Sequence, residues 1–289
     1  MTRLMAVEFF KLRKRMMTWI LAILMVGLVV LLYSIFWSVS GHVTTFGENA
    51  EYTGEDLRRA LFLQTSVPFS LQVVASFGTI FAMILAAGAV GSEYSWGTVR
   101  LMATAASGRV RLIAAKLLVV CGLVATGALL AVAVGVIYSS IITVTNGGSD
   151  LGFVTPGFIR DQAGSYGRTL FVMAPYVMLA FAMAAIGRST LAGVGAGIGI
   201  AFVEPLIGGL MRLAGNPWND IPNYLINANA RVVLLQNKVP DVVRFGASAQ
   251  DPTNRQLNGT PEAMLILAIY SVAFVALAFF VYRRRDITA

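Results

Sequence analysis

Few residues in this sequence are of types that do chemistry, and the densest group lies between positions 91 and 116. Gly91-Ser92-Glu93-Tyr94-Ser95-Trp96-Gly97-Thr98-Val99-Arg100, then Ser107-Gly108-Arg109, Arg111 and Lys116, form a basic, glycine-punctuated link between two long apolar runs. Elsewhere one carboxylate stands inside an apolar run, Glu204, followed by Pro205. A buried carboxylate is costly and marks a pathway or a partner. Proline removes a helical hydrogen bond, so Glu204-Pro205 is expected to break the helix into a re-entrant bend. The carboxylate would then either line a pathway or rise to interfacial water. His42 is the single histidine and Cys121 the single cysteine. Neither has companions at metal-ligand spacing, and no intrachain disulfide can form. The sequence holds no G-x-x-x-x-G-K-[ST] phosphate loop, no H-E-x-x-H and no G-x-S-x-G elbow. It therefore reads as a chain that is not catalytic by itself and binds no cofactor or metal of its own.

The elements that hold these residues are helices in a bilayer. Of 289 residues, 57% are hydrophobic and only 12% charged, about half the charge of a soluble domain. Six runs are long enough to cross roughly 30 Å of hydrocarbon: 16–39, 67–92, 112–143, 169–187, 189–211 and 263–282. An even number of spans puts both termini on one side. Thirteen of the 22 lysines and arginines fall on that side with three acids; the other side is nearly neutral. The positive-inside rule makes the basic side, and both termini, cytoplasmic. The net charge of +8 thus reports topology and contact with membrane lipids, and not nucleic acid.

Before the first span, residues 1–15 read as an amphipathic elbow helix at the interface. Met5, Phe9, Leu12 and Met16 share one face, and Glu8, Lys11 and Arg15 another. The outer loops are 40–66, 144–168 and 212–262. Thr53 to Asp56 is a capping-box pattern opening a short helix. The second loop, with Asn146-Gly147-Gly148 and Pro156-Gly157, is read as turns. In the third, Asn219 or Asp220 is expected to cap a helix running to Leu235. Gly193, Gly195, Gly197 and Gly199 make two overlapping small-xxx-small pairs, a face for close packing either within the chain or across a dimer.

The pattern Glu93-Tyr94-Ser95-Trp96-Gly97-Thr98-Val99-Arg100, followed by Arg109 and Lys116, resembles the ABC-2 type permeases, near their bacitracin-export and antibiotic-resistance branch. The similarity extends to the elbow helix, the six spans, the long segment between spans five and six, and the ending Tyr282-Arg283-Arg284-Arg285-Asp286-Ile287. The turn Ala105-Ala106-Ser107-Gly108 departs from the family's commonly proline-containing one. The resemblance implies a single all-α transmembrane domain over 1–289, of the ABC-2 or type V exporter kind, in a bacterial cell membrane. It implies a cytoplasmic coupling helix at roughly 95–105 within the segment 93–111. Glu93, Tyr94, Trp96, Gly97, Thr98, Arg100 and Arg109 would carry the coupling to a partner.

On this resemblance the chain is the permease subunit of an exporter. It would pair with a second permease, itself or a relative, and with two copies of a separate ATPase that hold the ATP and magnesium. Spans rich in Leu, Val, Phe and Met suit a hydrophobic or amphipathic cargo such as a drug, peptide antibiotic or lipid-like molecule. Two other readings stay open: an ion-coupled carrier or channel centred on Glu204, and a membrane immunity or assembly factor with no transport cycle.

Overall fold

The computed structural model describes residues 1–46, 52–95, 109–146, 152–245 and 257–284. Among them six helices are long and apolar enough to cross a membrane, and the chain is a membrane-embedded helical bundle. The spans are Met16–Ser40, Leu63–Tyr94, Val110–Thr145, Pro156–Gly187, Thr190–Ala214 and Thr260–Arg283, numbered 1 to 6 below. Spans 2 and 4 are central: 67% and 61% of their most apolar windows are buried inside the chain, against 11% to 22% for the others. Spans 4, 5 and 2 pack on one another, span 6 packs on span 4, and span 1 lies against span 3. Exposed residues such as Ile23, Leu129, Leu206 and Leu265 give the outer faces the apolar character that lipid requires.

The N-terminal helix, α1 (Thr2–Lys14), stops at Arg15, whose extended backbone (φ −80°, ψ 130°) turns the chain into span 1. It packs chiefly on span 3. Its aromatic face is outward, with Phe9 and Phe10 exposed, while Glu8 and Leu12 are buried. Span 2 is interrupted by a π-helical turn, Val74–Gly78. At the end of the bundle away from the termini, a two-stranded hairpin pairs Thr45 with Thr53 and Phe46 with Tyr52. The expected capping box follows it: Thr53 and Asp56 bond reciprocally at the start of the helix Gly54–Arg59.

Three readings of the connections need correction. Span 4 begins at Pro156, thirteen residues before its apolar run at 169, so the second half of the 144–168 loop is helix and not turns. Thr155 caps it by accepting a bond from the Phe158 amide at 3.2 Å, and proline is tolerated in the first turn. The helix expected from Asn219 to Leu235 is two elements, a 3-10 helix Trp218–Tyr224 and an α-helix Ile226–Leu235 separated by extended Leu225. Finally, the helix of span 5 runs unbroken through Pro205. Spanning helices tolerate proline where neighbours and local adjustment satisfy the freed carbonyl. No re-entrant bend forms.

Candidate functional site

The polar face of α1 is not turned toward the surroundings. Glu8 and Lys11 lie at i and i+3 on one stripe of the helix, Arg15 follows at the corner into span 1, and all three face the chain's own spans. Lys116 stands about two turns inside span 3 and is 1% exposed. Its ammonium donates to Glu8 Oε2 at 2.6 Å and to Glu93 Oε1 at the last turn of span 2. Lys11 closes the ring, donating to Glu8 Oε1 at 2.6 Å and approaching Glu93 Oε1 at 3.4 Å. Arg15 continues the cluster along span 2 through bonds to the Gly88 carbonyl at 2.9 Å and Ser92 Oγ at 2.6 Å.

This is a buried ionic network of two carboxylates, two ammoniums and a flanking guanidinium. Burial by itself would raise the Glu8 carboxyl above its usual range; Lys116 and Lys11 outweigh that and hold it below. Burial lowers the Arg15 guanidinium, with Glu93 and Glu8 opposing. A closed pair of this kind adds little net stability, because desolvation offsets attraction. Removing one member is different: it strands a buried charge at a cost of about 3–5 kcal/mol. The cluster therefore acts as a fixed joint between α1, span 2 and span 3.

Glycines let these parts come together. A Cβ on Gly88 would strike the Met17 side chain, and one on Gly91 would strike the Thr190 backbone. The last turns of span 2 are thus wedged between the start of span 1 and the tight connection of spans 4 and 5. Beside them the Tyr94 ring meets the edge of Tyr282 from span 6, with centroids 6.4 Å apart.

Of the residues singled out for coupling, Glu93 and Tyr94 are at this joint. Trp96, Gly97, Thr98 and Arg100 lie outside the described residues, and Arg109 opens the helix of span 3. Glu8, Lys11 and Arg15 are at the joint with them. Lys116 is the member whose pairing the sequence did not reveal. Its signal was a lysine between Ala115 and Leu117 in an apolar span, a placement that demands a partner.

Glu204 is elsewhere, in span 5 toward the end of the bundle away from the termini. It is 8% exposed and accepts from the Asn227 amide at 3.0 Å, with the Tyr176 hydroxyl at 3.5 Å. Asn227 is the second residue of the helix Ile226–Leu235, whose own N-cap, Leu225, offers no side-chain bond. Glu204 supplies that cap from a neighbouring helix, where a carboxylate is favoured by unpaired amides and by the helix dipole. The four glycines of span 5 divide into two pairs. A Cβ on Gly193 would lie 2.6 Å from the Ala180 carbonyl and 2.7 Å from Ala184 and Ala87, and one on Gly197 2.8 Å from Met83 Sδ. Gly195 and Gly199 meet nothing within 4 Å.

The remaining polar candidates are local. His42 Nδ1 bonds the Ser38 carbonyl at 2.8 Å, and Cys121 is a half-buried free thiol. Among the described residues no three His, Cys, Asp or Glu side chains are grouped so as to hold a metal ion.

A six-span helical bundle with an ionic joint at one end defines a class of integral membrane protein. Within it, the chain belongs to the family described as protein of unknown function (DUF2705), whose model matches residues 60–288. No curated protein matches the chain.

Proposed function

We propose that this chain is the permease subunit of an ABC exporter of the ABC-2 type, driven through its cytoplasmic face by a separate ATPase. The observation that supports the reading most is the buried joint of Glu8, Lys11, Glu93 and Lys116. Glu93 precedes the segment 96–108 and Lys116 follows it closely, so both ends of that connection are bound to each other and to α1. A push on the segment cannot move span 2 without span 3 and the N-terminal helix, because parting them strands buried charges. A coupling element must be contacted differently in two states of the partner's cycle; a jointed segment would pass that difference to three helices together. ATP and magnesium reside on the partner, and the chain itself binds no cofactor. A second permease, the same chain or a relative, completes the path, and the open pair Gly195 and Gly199 is available for close helix contact.

The test is purification of the tagged chain with its ATPase subunit, followed by reconstitution. Glu93→Gln in the folded complex is expected to leave ATP hydrolysis running and to lower export. Transport by the chain alone under an ion gradient would sink the proposal. An ion-coupled carrier reading draws on Glu204, and full transport by a Glu204→Gln variant would count against it.

A further inference from the structure

Beneath α1 the spans do not close on one another. Between spans 1, 2 and 3 lies a cavity of about 380 Å³, within the roughly 300–1,000 Å³ range of ligand pockets. Span 2 lines it with Val74, Gly78, Ala82 and Leu85, whose steps of four, four and three keep them on one helical face. From Val74 to Leu85 the wall runs eleven residues, roughly 16 Å at helical rise. One leaflet of a hydrocarbon core roughly 30 Å thick is about as deep. Span 3 forms the facing wall between Leu123 and Leu130. Within it a Cβ on Gly127 would meet nothing within 4 Å, so the missing side chain leaves part of the opening.

The chemistry of the wall is graded along that length. Met25 of span 1, Val74 of span 2 and Met173 of span 4 make an apolar inner end. Phe9, Trp19 and Leu130 stand at the rim and are exposed, so the cavity opens sideways onto the surroundings of the bundle. Under α1 the wall turns polar. There Thr18 Oγ1 donates to the Leu12 carbonyl at 2.7 Å and Trp19 Nε1 to the Arg13 carbonyl at 2.8 Å, giving the last carbonyls of α1 their partners. Deeper in, Thr126 Oγ1 turns back on the Gly122 carbonyl at 2.8 Å. Arg13 differs from these. Its side chain is exposed at the mouth, and among the described residues its guanidinium has no ion-pair partner. Span 1 starts just after it, at Met16, without a side-chain cap, so the positive end of that helix dipole adds to the same field. No carboxylate lines the cavity among the described residues.

We propose that this cavity holds one acyl chain of an anionic membrane phospholipid, with the lipid phosphate against Arg13. The depth is that of a leaflet, and the sideways opening lets a chain enter from the bilayer without crossing water. A chain lying along span 2 removes apolar surface from contact with other solvent. At the mouth a guanidinium matches phosphate oxygens in geometry as well as charge, and basic groups at this boundary favour anionic headgroups. The lipid would touch α1 and spans 1, 2 and 3 together. The inference is independent of the exporter reading.

The experiment is native mass spectrometry of the purified full chain in a neutral maltoside detergent, titrated with dioleoylphosphatidylglycerol or dioleoylphosphatidylcholine. The first phosphatidylglycerol is expected to saturate before others bind, at least fivefold tighter than the first phosphatidylcholine. Arg13→Gln should remove that preference, and Arg13→Lys should keep most of it. Gly127→Leu and Ala22→Phe, which fill the apolar part, should weaken the first site tenfold or more for both lipids. Statistical uptake with no distinct first site would overturn the proposal, as would a first site unchanged in both filling variants. A first site that takes the two lipids equally would give the cavity to an uncharged apolar occupant and overturn it too, as would a preference that survives Arg13→Gln. Should Ala22→Phe alter the elution profile, Gly127→Leu decides alone, since its side chain starts in open space. No ATPase is needed: loss of the lipid leaves the exporter reading intact, and loss of the ATPase partner leaves the lipid site intact.

Discussion

Lys116 has no partner within its own helix. Its two carboxylates come from 23 and 108 residues away, which is why an apolar span with one lysine announced a need without naming what meets it. Lys116→Ala should leave Glu8 and Glu93 facing each other in a buried site and cost about 3–5 kcal/mol, read as a lower thermal midpoint in detergent. Lys116→Met combined with Glu93→Gln should cost less than the sum of the single changes, by a coupling of about 0.5–3 kcal/mol. The acid limit follows from Glu8. Its folded pKa is depressed from 4.5, so its contribution to docking α1 is complete above that value and disappears as pH falls through the lower folded value. Emission from Trp19, with Trp37, Trp96 and Trp218 replaced by Phe, should therefore be constant from neutral pH to about 4.5 and change only below it. At the other end, Glu204→Ala should destabilise by about 0.5–2 kcal/mol, as loss of a helix cap does. Glu204→Gln, which keeps an acceptor, should be milder.

Among the elements, the six spans were readable because hydropathy measures what lipid demands of side chains. It does not measure where a helix ends. Span 4 extends past its apolar run through Arg160, Asp161 and Arg168, and only the Thr155-Pro156 start signal marked the true beginning. Pro205 misled in the opposite direction: the helix of span 5 passes through it unbroken, with the proline on an exposed face of the span. The glycine pattern of span 5 was visible, but not which pair faced inward. The structure makes that testable by thermal unfolding. Gly193→Ala should destabilise, because its Cβ meets the Ala180 carbonyl at 2.6 Å. Gly195→Ala should be neutral, or stabilise by up to about 1 kcal/mol through helix propensity.

Across the whole molecule, chemistry is concentrated at the two ends and the middle is apolar packing. One end holds the joint of α1, span 2 and span 3; the other holds the helix capped by Glu204. Spans 2 and 4 are the buried pair connecting them, and span 2 contributes Glu93 at the joint and, toward the other end, Gln72, which donates to the Phe245 carbonyl. The proposed permease role would use that continuity, since the one helix reaches from the joint toward the far end of the bundle. The coupling role proposed for the segment 96–108 draws on the resemblance at Gly97 and Thr98 and on the buried pairing of Glu93 and Lys116 at its two ends.

The most direct test places spin labels at Val7→Cys, on the exposed side of α1, with Cys121 replaced by Ala, in the permease purified with its ATPase subunit. With two copies of this chain in the complex, or with the second label on the exposed side of the relative's N-terminal helix, the distance between the labels is then measured with and without ATP. The account predicts a distance change on ATP binding that is lost in Lys116→Met while ATP hydrolysis continues. A chain that purifies with no ATPase, or labels whose separation ATP leaves unmoved in the unmodified joint, would contradict it.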